Sequence, residues 1–123
     1  MADEDLVERA DAAAQRAYAP YSNYLVGAAA RTRDGKVWEG VNVENAAYPL
    51  GVCAERTAIA KAVSEGYTPG DFEAIGITAS PCGGCRQWLH EFGFERVVFR
   101  GNDGGVVTMS PGELLPATWE LPE

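Results

Sequence analysis

Residues 72–92, FEAIGITASPCGGCRQWLHEF, run from an extended apolar segment straight into a helix. Phe72 to Ala79 carries the apolar, β-prone character of a strand. Ser80 suits an N-cap, and Pro81 suits the first helical position, where its missing N–H costs nothing. The pattern therefore predicts a helix over Ser80 to Phe92. Cys82 and Cys85, three residues apart, would share one face of its first turn.

Upstream, Asp3 to Tyr18 predicts a first helix, with Leu6, Val7, Ala10, Ala14, Ala17 and Tyr18 at helical spacing. Tyr24 to Arg33 and Lys36 to Val43 predict two strands around Asp34-Gly35, a strong hairpin signal. Cys53 to Glu65 predicts a second helix, closed by Gly66. Downstream, Arg96 to Arg100 and Val106 to Met109 flank GNDGG, whose turn chemistry favours an antiparallel pair. Ser110, Pro111 and Glu113 have the pattern of a capping box opening a short last helix. Strand, helix, strand, helix, strand from residue 37 to 100 implies parallel strands with right-handed crossovers. The expected class is α/β, a mixed sheet of about five strands covered by helices.

The chain has 123 residues, 46% of them hydrophobic, which fits one domain spanning 1–123. No apolar run is long enough to span a bilayer, and the start MADEDLVERA is acidic. A cytoplasmic protein without a membrane partner is expected. The net charge of −8 argues against binding nucleic acid through its phosphates. Three cysteines, two of them in C-x-x-C, do not make a secreted disulfide framework.

In such sheets, ligand sites form beyond the carboxyl ends of strands, where helices begin. Cys53 and the Cys82/Cys85 pair both fall at helix starts, so the three thiols are expected to converge. A redox C-x-x-C would exploit the helix N-terminus to lower a thiol pKa. A structural zinc site needs four protein ligands. The one histidine, His90, lies about 7.5 Å along the helix from Cys85 at the usual rise per residue, and reads as a surface residue. Three ligands and an open fourth position describe a catalytic zinc. Glu55, two residues after Cys53, is then placed for general acid–base work, although an acid in a first helical turn also suits the helix dipole. Arg56 could offset the excess negative charge of three thiolates on one Zn²⁺.

CAE followed by PCGGC is similar to the zinc-deaminase signature H-x-E…P-C-x-x-C, with Cys in place of His. The blocks APYSNYLVGAAA, GVNVENAAY, CAERTAIAKAVSEG, SPCGGCRQWLHEF and ELLP closely resemble the small homotetrameric cytidine deaminases, in the same order. The resemblance implies a three-layer α/β/α sandwich and hydrolysis of cytidine and deoxycytidine to uridine and deoxyuridine in pyrimidine salvage. It makes Cys53, Cys82 and Cys85 the ligands of one zinc per chain, Glu55 the proton shuttle and Arg56 the partner of the thiolates. Asn42 and Glu44 would hold the ribose hydroxyls. Backbone groups of Ala54 and Ser80 would read the pyrimidine edge, and Tyr24, where the family usually has Phe, would pack near base and sugar.

Two departures stand out. The strand AIGITA runs almost directly into SPCGGC, where the family usually has a longer loop. After ELLP, Trp119 stands where the family commonly has a Phe that reaches a neighbouring subunit's site. The implied assembly is a homotetramer with shared active sites. The alternatives are a deaminase of a modified cytosine nucleoside such as blasticidin S, or a zinc- or thiol-based binding module.

Overall fold

A single five-stranded sheet organises the chain, in the order β2-β1-β3-β4-β5. The computed structural model describes residues 1–122. The strands are β1 (Gly27–Thr32), β2 (Val37–Val41), β3 (Phe72–Ile77), β4 (Arg96–Arg100) and β5 (Val106–Met109). The helices are α1 (Asp3–Ala14), α2 (Ala54–Ser64), α3 (Gly83–Glu91) and the short α4 (Pro111–Leu114).

Both hairpins form where the turn chemistry places them. β1 pairs antiparallel with β2 across Asp34-Gly35, with Gly35 at φ +90°, and β4 pairs antiparallel with β5. β3 and β4 are parallel neighbours, as a right-handed crossover requires. β2 and β3 also point the same way but do not touch, because β1 lies between them and is antiparallel to both.

The sheet is buried on both faces, which makes a three-layer α/β/α sandwich. Alternation along β1 divides the two cores: Ala29 packs with Leu6 and Ala10 of α1, while Ala28 and Ala30 face Ala58 and Ile59 of α2. Ile75, Ile77 and Leu89 extend the second core under α3. Each large side chain buried there contributes about 1.5–3 kcal/mol. The alanines of β1 and the glycines of the sheet let the helices settle close. A Cβ on Gly40 would collide with the backbone of Ala54 and Ala58, in the first turn and a half of α2. The packing of strand on helix thus sets the height of the residues that follow Cys53.

Three boundaries differ from the sequence reading by three residues or more. α1 ends at Ala14 rather than Tyr18, because Tyr18 leaves the helix to pair with the Asn42–Glu44 segment. Its N–H donates to the Asn42 carbonyl at 3.1 Å, and its carbonyl accepts from Glu44 N at 2.8 Å. β1 starts at Gly27 rather than Tyr24, since three of the four hydrogen bonds on the backbone of Tyr24 and Val26 are made with side chains, the fourth being Asn42 N to Val26 O. α3 starts at Gly83, and its N-cap is Cys82 rather than Ser80. A sulfur at Cys82 accepts from the Cys85 N–H at 3.4 Å, so the capping group is also a candidate ligand. The last helix has the expected capping box, with Ser110 Oγ accepting from Glu113 N at 3.2 Å and Glu113 Oε1 from Ser110 N at 2.9 Å. His90 sits at the surface against Glu120, 3.4 Å away, and far from the thiols' role.

Candidate metal centre and substrate cavity

The N-termini of α2 and α3 bring the three thiols together. Cys53 and Cys82 are both N-cap residues with extended backbone, and Cys85 lies one turn into α3. Their sulfurs all fall within 4.8 Å of one another, and the Cys53 and Cys82 sulfurs are 3.8 Å apart. Two sulfurs on a tetrahedral zinc with Zn–S bonds of about 2.3 Å would also stand about 3.8 Å apart. No side chain caps α2, so the positive ends of two helices face the sulfur cluster.

The electrostatics favour thiolate at Cys53. Cys53 is lowered to about 6, first by the hydrogen bond from Cys85, then by that from Cys82 and by the charge of Arg56. Cys85 moves up, because it donates to Cys53 and is buried beside the Glu55 carboxylate. The sulfurs share protons with one another, and a divalent cation bound by them would displace those protons. Arg56 runs alongside with its Nε buried and without a hydrogen-bond partner among the described residues. Its guanidinium lies 6.0 Å from the centre of the Trp88 ring and occupies the space a Cβ on Gly84 would fill. A half-buried guanidinium beside three sulfurs, two of them at helix N-termini, is the surrounding a negatively charged metal–thiolate centre needs. The donor set fits zinc.

Beside the cluster lies a cavity of about 210 Å³. Cys53, Glu55 and Cys82 line it, and Ala54 and Ser80 contribute from the two helix starts. Tyr24 and Asn42 also line it. Glu55 is 3% exposed, and burial first of all, then the charge of Cys53, pushes its carboxyl upward toward the protonated form. Val26, Ile77 and Ala79 complete the apolar lining, and the sequence reading missed all three. Their signal was positional: they sit at the ends of β1 and β3 that open onto the helix starts.

Asn42, Glu44 and Trp119 also have surroundings outside this cavity. Asn42 reaches the cavity, but its amide also braces the chain, with Oδ1 accepting from Val26 N and Nδ2 donating to Tyr24 O, both at 2.9 Å. Glu44 lines a second cavity of about 370 Å³ with Tyr21 and Tyr48. Its carboxylate accepts from Tyr21 N at 3.0 Å, from Ser22 N at 3.1 Å and from the Ser22 hydroxyl. Trp119 lies outside its own chain's cavity, 70% exposed beside His90 and Leu121.

The family profile described as cytidine and deoxycytidylate deaminase zinc-binding region matches residues 1–100. A probable cytidine deaminase of Dictyostelium discoideum is 43% identical over 120 residues, covering 92% of this chain and 80% of that protein. The cytidine deaminase of Halalkalibacterium halodurans is 43% identical over 122 residues, covering 93% and 91%. The crystal structure of a cytidine deaminase from Burkholderia pseudomallei superposes with a TM-score of 0.90 at 48% identity, covering 97% of this chain and all of that one.

Proposed function

The chain belongs to the cytidine and deoxycytidylate deaminase family of zinc enzymes, and from that premise we propose how its residues divide the work. The reaction is hydrolytic deamination: cytidine or deoxycytidine and water give uridine or deoxyuridine and ammonia. The observation that carries this reading is the three-sulfur cluster sharing a cavity with the buried Glu55.

Cys53, Cys82 and Cys85 hold one zinc, which supplies a Lewis acid able to bring the pKa of a water near neutrality. Glu55 moves the protons. It takes one from the water that attacks C4, delivers it to ring N3, and assists the departure of ammonia at the end. Burial serves both roles, because a carboxyl pushed upward accepts a proton readily near neutral pH. Arg56 offsets the negative charge of the thiolates. Backbone groups of Ala54 and Ser80 read the pyrimidine edge, and the Tyr24 ring packs against base and sugar.

Asn42 and Glu44 recognise the ribose. Each keeps hydrogen-bonding capacity beyond its contacts within the chain: Asn42 has a second amide hydrogen and a second lone pair, and a carboxylate accepts about four hydrogen bonds. A diol can fill those positions, whereas a phosphate beside Glu44 would be repelled. The substrate is therefore the free nucleoside, and the enzyme acts in pyrimidine salvage in the cytoplasm. No helix among the described residues is long and apolar enough to cross a membrane.

The assembly is a homotetramer with shared sites. Supporting it, Tyr21 and Tyr48 are exposed at the cavity that Glu44 lines, and Leu50, Trp119 and Leu121 are exposed as well. Loss of cytidine absorbance with formation of uridine by chromatography tests the activity, and an unchanged cytidine peak overturns it.

A further inference from the structure

Tyr24 stands 62% exposed and outside any strand, yet both polar groups of its backbone are held by side chains. Its carbonyl accepts from Asn42 Nδ2 at 2.9 Å. Its N–H donates to Ser22 Oγ at 3.0 Å, and the Ser22 hydroxyl donates onward to Glu44 Oε2. The direction of this chain of bonds is unambiguous. A backbone N–H only donates, an ionised carboxylate only accepts, and the single serine proton must therefore point to Glu44. The same hydroxyl anchors Glu44 and lowers its pKa, so the carboxylate stays charged. Between Ser22 and Tyr24 the backbone passes through a left-handed residue, Asn23 at φ +58°, a conformation Asn tolerates better than most. The loop is a side-chain-to-backbone turn that a hydrogen-bonding hydroxyl holds closed.

We propose that Ser22 is a positioning residue: its hydroxyl couples the Glu44 carboxylate to the backbone of Tyr24, fixing the tyrosine ring at the cavity wall. The proposal rests on the nucleoside-deaminase reading and adds to it a residue that lines no part of the zinc-side cavity. Ser22 acts on substrate through Tyr24 and Glu44 and leaves the thiols and Glu55 alone. Its contribution therefore falls on binding rather than on the chemical step.

The experiment is steady-state kinetics on cytidine for wild type, Ser22→Ala, Ser22→Thr, Tyr24→Ala and the Ser22→Ala/Tyr24→Ala double variant, with zinc content measured for each. Ser22→Ala should raise KM about tenfold, the size expected for a lost hydrogen bond to a charged group. Its kcat should stay within about twofold, since uniform binding rather than transition-state contact is removed. Ser22→Thr, which keeps the hydroxyl, should behave as wild type. In the Tyr24→Ala background, Ser22→Ala should add less than its full effect, because the ring being positioned is gone. An unchanged KM in Ser22→Ala overturns the proposal, as do a Ser22→Thr variant no better than alanine and full additivity with Tyr24→Ala. A fall in kcat together with loss of zinc also overturns it, by giving the hydroxyl a role in folding. If the wild type leaves cytidine unchanged, the deaminase reading fails and the proposal fails with it.

Discussion

Cys53 and Cys82 lie 29 residues apart in sequence, on different helices, and their sulfurs approach to 3.8 Å. Each caps its helix, so the N-termini of α2 and α3 converge on the same point. The third sulfur, Cys85, is buried behind them. That convergence is where the chemistry is expected to happen.

Metal analysis of the purified protein should give about one zinc per chain, as three thiolates with an open fourth position require. Cys82→Ala should lose both the zinc and the activity. Full activity in a zinc-free preparation would count decisively against the assignment.

Replacing Glu55 by Gln keeps the size of the side chain and removes its proton. Turnover should fall by about 10⁴-fold or more, the upper end for a general acid–base group, because one carboxyl serves several transfers. Zinc content should be unchanged. Activity within an order of magnitude of wild type would take Glu55 out of the mechanism.

Glu44 should make the enzyme discriminate against charge at the sugar. Cytidine should exceed its 5′-monophosphate in kcat/KM by about a hundredfold, since like charges brought together cost several kcal/mol. Equal values for the two substrates would remove Glu44 from sugar recognition.

Acid stability should depend on the β1–β2 turn. The carboxyl of Asp34 is lowered to about 2 by hydrogen bonds from the Thr32 hydroxyl and then from Tyr67. A folded-state pKa below the unfolded value of about 3.9 means the contribution is complete above pH 4 and lost as pH falls toward 2. Thermal melts of Asp34→Asn should therefore depend less steeply on pH between about 4 and 2 than wild type. Parallel curves for the two proteins would show that the turn carboxylate carries no such linkage.

Trp119 is expected to serve a neighbour. Light scattering should give a tetramer, and Trp119→Ala should raise KM about tenfold with zinc retained, as the loss of stacking worth about 1–3 kcal/mol implies. Co-assembling Glu55→Gln chains with Trp119→Ala chains should restore tight-binding activity at some sites. A monomer at working concentration, or mixtures that restore nothing, would rule out the shared site.

Local chemistry made much of this protein legible from its sequence. Asp34-Gly35 and GNDGG encode their hairpins through turn conformations that few other residues adopt, and Ser110 with Glu113 encodes a cap within four residues. The candidate ligands were legible for a related reason: a thiol's affinity for zinc belongs to the residue type, and helix starts announce where such residues gather. Tertiary structure decided what depends on which segments meet. β1 enters between β2 and β3 because its small, fully buried side chains let helices close on both of its faces, which no local pattern specifies. The N-cap of α3 is Cys82 because a sulfur, not the serine hydroxyl, reaches the free N–H. Asn42 and Glu44 acquired their work of holding residues 21–26 only when Tyr18 bridged to their strand, carrying the loop that follows it within reach. Hydrogen bonds between segments 16 to 23 residues apart depend on how the chain packs, and that is settled by the whole core rather than by either segment.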